Sequence, residues 1–215
     1  MPPRTVLCFG DSNTHATVAM RDTTDRRRHA KADRWPSVMA AQLGATWDVI
    51  AEGHPGRTSV LDDPIEGAHK NGLRALQATL ESHRPLDLVI VMLGTNDLKA
   101  RFNLSAHDIA LGIQRLILDI RRSDTGPDGR APDVLLAAPV IAVETGIFVD
   151  MFAGAAAKSA ALPDILRDVA RQQRIGFIDL NEVASVDPVD GIHLDGAAHA
   201  SIGVAMAQAI TNRMT

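Results

Sequence analysis

Short runs of apolar residues recur along the chain, and each run is bounded by residues that favour turns. A strand that is buried on both faces of a parallel sheet has this continuous apolar character, because neither face meets water. Four clear runs and a weaker fifth therefore predict five strands. They span Thr5 to Phe9, Leu86 to Leu93, Asp133 to Ala138 and Ile175 to Leu180, with Trp47 to Ala51 as the weaker one.

The segments between these runs carry apolar residues at the three- and four-residue spacing of an amphipathic helix. Ser105 is placed to cap the third helix, and Asp108 occupies the position of a capping-box acid. The predicted helices span Trp35 to Leu43, Gly72 to Ser82, Ala106 to Arg122, Ala153 to Gln173 and Gly196 to Met214. Alternating strands and helices with right-handed crossovers predict an α/β fold with three layers, α/β/α, around a doubly wound parallel sheet.

No stretch of linker composition divides the 215 residues, so we expect a single domain over residues 1–215. The formal net charge is −4, and no stripe of lysine and arginine lies near an aromatic platform, which argues against a nucleic-acid partner. The basic run Arg26 to Arg28 is short and flanked by acidic residues, and we expect it to form a solvated loop.

The single cysteine, Cys8, lies within an apolar run and cannot form an internal disulfide. We therefore expect a buried thiol in a reducing compartment, which favours the cytoplasm. No segment approaches the ~20 uninterrupted apolar residues of a membrane helix, and the first residues lack the pattern of a signal peptide. The sequence predicts neither membrane insertion nor secretion.

Three segments of high polar density follow predicted strands. They are Gly10 to Asn13 after the first strand, Gly94 to Asp97 after the strand that begins at Leu86, and Asp190 to His193 after the last strand. Ligands of a doubly wound sheet bind beyond the carboxyl ends of its strands, so we expect the three segments to meet at one edge. Two stretches without clear periodicity, Val18 to Asp33 and Val140 to Phe152, are predicted to be surface loops that determine specificity.

Ser12 has the sequence setting of a nucleophile. A serine hydroxyl is a weak nucleophile, and it needs a base, a group that orients the base, and donors for the oxyanion that it creates. Ser12 follows a buried strand through Gly10, which permits a sharp turn, and its own N–H would lie at the start of the next helix. The alternative is that Ser12 simply caps that helix.

His193 differs from the other histidines in having an aspartate three residues before it, near the carboxyl end of the chain. On a tight turn, Asp190 would accept the Nδ1 proton of His193 and leave Nε2 free to take the serine proton. The alternative is a surface turn on which both residues are merely exposed. Asp195 and His199 form a rival pair, which we expect to supply a helix-start charge and an exposed side chain.

Asn96 ends a strongly apolar strand, where a carboxamide buried without a partner would be costly and where its amide would donate to a reacting oxygen. The alternative is a structural turn from Gly94 to Asp97, in which Asp97 caps the following segment. The glycines of the segment Glu52 to Thr58 would let a backbone N–H approach a substrate, or would form an ordinary turn.

Taken together, these segments resemble the SGNH, or GDSL-like, hydrolase superfamily. Gly10-Asp11-Ser12-Asn13 is similar to its first block, Gly53 to Gly56 to its glycine block, Gly94-Thr95-Asn96-Asp97 to its asparagine block, and Asp190-Gly191-Ile192-His193 to its Asp-x-x-His block. The blocks occur in the family's order over residues 10 to 193. The resemblance implies a flavodoxin-like sheet, which agrees with the predicted elements.

The resemblance also implies a role for each matched residue. Ser12 is the nucleophile, and Asp190 and His193 complete the triad. The oxyanion is bound by the N–H of Ser12, the N–H of Gly56 and the side chain of Asn96.

Two positions depart from the family pattern. In the second block, Gly53 competes with Gly56 for the role of oxyanion donor, and Gly56 is favoured by its place just before Arg57. In the first block, Asn13 stands where leucine is typical. We expect this substitution to leave the chemistry intact and to change the packing under the nucleophile.

Within the superfamily, the run from Asp87 to Asp97 and the Val-Asp-Gly-Ile-His segment that ends at His193 resemble the small intracellular bacterial aryl-esterases and acyltransferase-like enzymes. This branch implies short-chain, acetyl-like ester substrates, an acyl-enzyme, acyl transfer to alcohols or peroxide in some members, and a homo-oligomer. No cofactor and no metal is expected. Glu144, Phe148 and Phe152 are candidates for the wall of a substrate pocket, with an exposed loop or a subunit contact as the alternative.

Two other functions stay open at this point. A metal-dependent phosphoesterase also has Gly-Asp and Gly-x-Asn-Asp segments after strands, although no Asp-x-His opening or Asn-His pair supplies its ligands here. A non-enzymatic nucleotide- or phosphate-binding module would carry a Gly-x-Gly-x-x-Gly or P-loop motif, and the sequence has neither.

Overall fold

Every predicted apolar run forms a strand in the structure, a computed structural model that describes residues 2–214. The strands are β1 (Arg4–Gly10), β2 (Trp47–Gly53), β3 (Leu88–Met92), β4 (Asp133–Ala138) and β5 (Gly176–Asp179). They form one sheet in the order β2-β1-β3-β4-β5, and each neighbouring pair is parallel. This is the flavodoxin-like order, so the predicted fold class is confirmed.

Helices cover both faces of the sheet. They are α1 (Ser12–His15), α2 (Trp35–Leu43), α3 (Gly72–His83), α4 (Ala106–Arg122), α5 (Ala155–Gln173) and α6 (Gly196–Met214). One apolar cluster joins the sheet to α3, α4 and α5, and a second joins it to α2 and α6. Successive side chains of a strand point to opposite faces, and Leu7 and Phe9 of β1 accordingly enter the first cluster whereas Val6 and Cys8 enter the second. This double burial explains the continuous apolar runs.

The helices α2, α4 and α6 have the predicted bounds, and α3 and α5 differ from the predictions by one or two residues at one end. Both ends of α4 lie where they were predicted, and Ser105 and Asp108 form the expected capping box. The predictions for β3 and β5 were too long, whereas β1 and β2 extend beyond their predicted bounds and β4 has the bounds predicted. Leu86 and Leu93 are fully buried but lie outside β3, because the apolar core extends past the hydrogen-bonded ladder.

The crossover pattern opens a crevice between β1 and β3. From β1 the chain continues to α2 on one face of the sheet, and from β3 it continues to α4 on the other face. Loops that leave neighbouring strands toward opposite faces create the binding crevice of a doubly wound sheet. The segments that carry Ser12 and Asn96 are the ones that leave these two strands.

Two further observations concern the predictions from composition. Cys8 is fully buried, and burial raises the pKa of its thiol well above the usual range. Among residues 2–214, no helix combines the length and the apolar character needed to cross a membrane.

Candidate active site

Ser12 is the first residue of the short helix α1, directly after β1. Asp11 is the N-cap, and its carboxylate accepts a hydrogen bond from the N–H of Asn13 at 2.9 Å. The alternative that Ser12 caps the helix is therefore wrong. The N–H of Ser12 meets no acceptor among the described residues, and it points from the helix start as a free donor.

Ser12, His193 and Asp190 form a continuous hydrogen-bonded chain. The Oγ of Ser12 lies 3.0 Å from Nε2 of His193, and Nδ1 of His193 lies 2.6 Å from a carboxylate oxygen of Asp190. All three residues are buried. Because an ionised carboxylate only accepts, Nδ1 carries the proton of the neutral imidazole and Nε2 faces the serine hydroxyl as an acceptor.

Asp190 is held by backbone donors from two segments. Its Oδ1 accepts from the N–H groups of Ile192 and His193, and its Oδ2 accepts from the N–H of Met20 at 2.7 Å. Burial by itself raises the pKa of Asp190, but the hydrogen bonds and the charge of His193 outweigh it, so the pKa lies below its usual value. The carboxylate is thus ionised at neutral pH.

The segment from Asp190 to His193 does not directly follow the last strand, which corrects the sequence prediction. β5 ends at Asp179, and a turn of 3₁₀ helix at Leu180–Glu182 and a loop precede Asp190. The N–H of Asp187 donates to the carbonyl of His193 at 2.7 Å and closes this loop, and His193 reaches Ser12 beyond the carboxyl end of β1.

Asn13 makes a contact that the sequence did not predict. Its side-chain amide donates to the carbonyl oxygen of Ile192 at 3.1 Å, so it ties the helix of Ser12 to the segment of His193. The amide oxygen of Asn13 is buried and has no hydrogen-bond partner within residues 2–214. The presence of asparagine where leucine is typical was the available signal, but its partner is 179 residues away.

Asn96 lies at the carboxyl end of β3 and is buried beside Ser12, since both line the same cleft. Its side-chain amide approaches Asp11 Oδ2 at 3.4 Å, which leaves its second N–H for another acceptor. Asp97 does not cap the following segment: its carboxylate accepts from the N–H and hydroxyl of Ser59.

Gly53 and Gly56 occupy different surroundings. A Cβ at Gly53 would lie 2.1 Å from the backbone nitrogen of His15, so Gly53 allows β2 to pack closely against α1. Gly56 lines the cleft with a φ of 81°, and its N–H has no acceptor among the described residues. The geometry thus favours Gly56 over Gly53 as a donor to the cleft.

The cleft has a volume of about 400 Å³ and includes Ser12, Asn96, Gly56 and His193. Both predicted surface loops border it, and the ring of Phe148 lies edge to face with that of His193 at 6.1 Å between ring centres.

The loop Val140 to Phe152 shapes one wall of this cleft. Phe148 and Phe152 line the cleft, whereas Glu144 is exposed and accepts from the N–H of Ala156. The loop also contacts the segment of the base, because the N–H of Val143 donates to the carbonyl of Gly191 at 2.9 Å. Two of the three candidate wall residues are therefore part of the wall.

Asp11 contrasts with Asp190 although both are buried beside His193. Burial raises the pKa of Asp11 to about 6, and the N–H of Asn13 and the charge of His193 only partly oppose this effect. Of the rival pair, Asp195 lies at the start of α6 as expected and accepts from the N–H of Ala198, but the expectation of an exposed His199 is wrong, because His199 is fully buried.

Within the described part of the chain, no three His, Cys, Asp or Glu side chains form a group that could hold a metal ion. The arrangement brings together a hydroxyl hydrogen-bonded to an imidazole, a carboxylate bound to the other ring nitrogen, and three residues with N–H donors, Ser12, Gly56 and Asn96, that line one cleft. These are the parts that acyl transfer at a carbonyl requires.

Comparisons with known proteins agree with this geometry. Residues 8–200 match the family model described as GDSL-like lipase/acylhydrolase. The structure is similar to the native aryl esterase of M. smegmatis, with 39% identity, a TM-score of 0.92, and coverage of 97% of this chain and 99% of that chain. It is also similar to a carbohydrate acetylesterase from Sinorhizobium meliloti, with 36% identity, a TM-score of 0.93, and coverage of 98% and 99%. No curated protein sequence matches the chain.

Proposed function

The chain belongs to the GDSL-like lipase/acylhydrolase family and is a carboxylic ester hydrolase, and we propose that it cleaves short-chain, acetyl-like esters through an acyl-enzyme on Ser12. The observation that carries this proposal is the buried chain of contacts from Ser12 through His193 to Asp190. In the first half of the reaction, the Oγ of Ser12 attacks the ester carbonyl while Nε2 of His193 takes its proton. His193 then protonates the departing alcohol, and the acyl group stays on Ser12.

Water completes the cycle by the same steps in reverse order. His193 takes a proton from water, the hydroxide attacks the acyl carbonyl, and the proton returns to Ser12 as the acid leaves. Asp190 stabilises the imidazolium that forms in each half and keeps Nδ1 protonated. The 2.6 Å contact and the three backbone N–H donors to Asp190 support this role.

Negative charge develops on the carbonyl oxygen in both halves of the reaction. We assign its binding to the N–H of Ser12, the N–H of Gly56 and the side-chain amide of Asn96. Support comes from the shared cleft and from the free N–H groups of Ser12 and Gly56. Donors that are already oriented before reaction need no reorganisation as the charge appears.

The size of the cleft supports a small substrate. Its volume of about 400 Å³ lies near the lower end of ligand pockets. The similar solved structures are named as an aryl esterase and a carbohydrate acetylesterase, so acetyl esters of aryl alcohols and sugars are the substrates to try first. Four points stay predictions: transfer of the acyl group to an added alcohol, a single SGNH-hydrolase domain over residues 1–215, a homo-oligomer and a cytoplasmic location.

Covalent labelling tests the proposal directly. The protein is incubated with a fluorophosphonate, and the intact mass and the modified peptide are then measured. We expect one adduct on Ser12, which is lost in Ser12→Ala and nearly lost in His193→Ala. His15→Ala is the matched control, because His15 also lines the cleft but its Nδ1 pairs with Thr17.

An adduct elsewhere, or none on folded protein, would contradict the assignment of Ser12. The two alternatives left open by the sequence, a metal-dependent phosphoesterase and a non-enzymatic binding module, are wrong, because the chain belongs to an acylhydrolase family and its structure is similar to those of esterases.

A further inference from the structure

Lys70 holds the peptide bond that carries the N–H of Gly56. Its ammonium group donates to the carbonyl oxygen of Pro55 at 2.9 Å. The Pro55–Gly56 bond is trans, since the cis bond of the described chain is Arg84–Pro85. In a planar trans peptide the C=O and the following N–H point in opposite directions. A donor that fixes the oxygen of Pro55 therefore also fixes the direction of the N–H of Gly56.

We propose that Lys70 is a positioning residue of the oxyanion site, which acts through this peptide bond to aim the N–H of Gly56 into the cleft. The inference rests on the proposed function, because it needs Gly56 to be an oxyanion donor. A charge-assisted hydrogen bond to the carbonyl also polarises the peptide, which strengthens the N–H as a donor. Lys70 thus contributes both direction and polarisation.

The space around Gly56 has no room for a side chain at this position. A Cβ at Gly56 would lie 2.7 Å from Glu66 Oε2 and 3.1 Å from Cε of Lys70. The φ of 81° also favours glycine over other residues. Because the side of Gly56 that a Cβ would occupy is filled by Glu66 and Lys70, the peptide has little room to rotate away from the cleft.

A network of paired charges keeps this support in place. Lys99 and Arg101 each contact both Asp63 and Glu66, and Lys99 and Asp63 are almost fully buried. Burial raises the pKa of Asp63, but backbone N–H groups and the two cations outweigh it and lower the pKa to about 2, so its carboxylate is charged. The two carboxylates and the two cations of this network therefore carry no net charge together.

Lys70 is a fifth charged group beside the balanced network. Its positive charge lies on the wall of the cleft that carries Gly56. Acting through the polarised Pro55–Gly56 peptide, this charge stabilises the oxyanion of the transition state more than the carbonyl of the neutral ester. The expected loss on removing Lys70 is therefore in kcat rather than in KM.

The decisive variants are Lys70→Met, which removes the donor and the charge, and Lys70→Arg, which keeps both. For Lys70→Met we expect kcat to fall between about 10- and 100-fold, less than the loss of a whole oxyanion donor, while KM changes less than threefold. Lys70→Arg should recover most of kcat. The affinity for an acetyl-like trifluoromethyl ketone, which forms a tetrahedral adduct, should fall by the same factor as kcat/KM.

Lys158 provides a matched control. Its ammonium also donates to a backbone carbonyl, that of Leu98 at 3.2 Å. The next N–H, of Lys99, is already bound to the carbonyl of Asn96, so this peptide does not offer a free donor. Lys158→Met should leave kcat and ketone affinity within threefold of the wild type.

The outcomes separate this inference from the proposed function. If Ser12→Ala abolishes activity and Asn96→Ala lowers kcat, but Lys70→Met keeps kcat and ketone affinity, then the role of Lys70 is wrong and the ester mechanism stands. If Lys70→Met and Lys158→Met lose activity equally, then the effect is general stability and the role of Lys70 is also wrong. If Ser12→Ala keeps its activity, then the proposed mechanism itself fails.

Discussion

The two walls of the cleft are supported by different kinds of interaction. The base wall consists of the segment from Asp190 to His193 with the ring of Phe148 against it, and backbone N–H groups hold it around one buried carboxylate. The oxyanion wall consists of Asn96, Gly56 and the charged residues behind Gly56, which are held by side-chain ion pairs and by the hydrogen bond of Lys70 to Pro55.

This difference predicts how each wall responds to amino-acid substitution. Backbone donors are part of the fold, so most substitutions near the base wall leave them in place. On the other wall, Lys99 and Arg101 each pair with both Asp63 and Glu66, so the loss of one cation leaves each carboxylate a second partner. The base wall therefore depends on few residues with large effects, whereas the oxyanion wall depends on many residues with moderate effects.

The largest expected effect is at the base wall. Asp190→Asn should lower kcat for p-nitrophenyl acetate by about 10⁴-fold at pH 7, because a neutral amide no longer selects the tautomer with Nδ1 protonated. Asp187→Asn is a control in the same loop, since within residues 2–214 its carboxylate accepts from the N–H of the exposed Val189 and from no other donor. A loss below 100-fold in Asp190→Asn would contradict the dependence on one carboxylate.

The oxyanion wall should respond more weakly to a single change. Asn96→Ala removes one donor and should lower kcat by about 10²–10³-fold with little change in KM. Steady-state kinetics with the same ester measures both. If kcat fell as far as in Asp190→Asn, the proposed contrast between the walls would disappear.

Asp11 lies between the walls, and its titration provides a test by pH. Its pKa of about 6 is above its unfolded value near 3.8, so its contribution to stability is complete below pH 4 and is lost as pH rises through 6. The Asp11→Asn variant has no titratable group at this position. Its free energy of unfolding, relative to wild type, should thus increase by about 2 kcal/mol between pH 4 and pH 7.

Urea unfolding of both proteins at the two pH values measures this difference. Asparagine is as good an N-cap as aspartate, so the start of α1 is preserved in the variant. A relative stability that does not change with pH would mean that Asp11 titrates near its ordinary pKa in the folded protein.

The smallest effect is expected where the helix of Ser12 meets the base wall. Asn13→Leu removes the hydrogen bond to Ile192 and should lower kcat by about tenfold, through a looser contact between Ser12 and His193. Thermal stability should stay the same or rise, because the unpaired amide oxygen of Asn13 is removed. An unchanged kcat would show that Ile192 is held without Asn13.

The sequence predicted the base wall better than the oxyanion wall, for a physical reason. Asp190 and His193 are three residues apart, so a local motif carries their contact. Lys70 and Pro55 are 15 residues apart, and Glu66 and Lys99 are 33 apart, without any pattern that pairs them.

The fold was predictable because it depends on periodicity. The alternation of elements predicted the doubly wound α/β class, the family resemblance implied the flavodoxin-like sheet, and the helix that carries a capping box was placed correctly at both ends. The path of the loop between Asp179 and Asp190 was not predictable, because turns there and the contact of Asp187 with His193 depend on tertiary packing.

The two loops that border the cleft also form hydrogen bonds with the segment from Asp190 to His193. Met20 donates to Asp190, and Val143 donates to the carbonyl of Gly191. A mutation that reshapes either loop for a new alcohol or acyl group therefore also moves the support of the imidazole, so selectivity and turnover change together. Directed evolution of substrate range should progress further through exchange of the exposed tip residues, such as Arg26 or Ile147, than through changes in loop length.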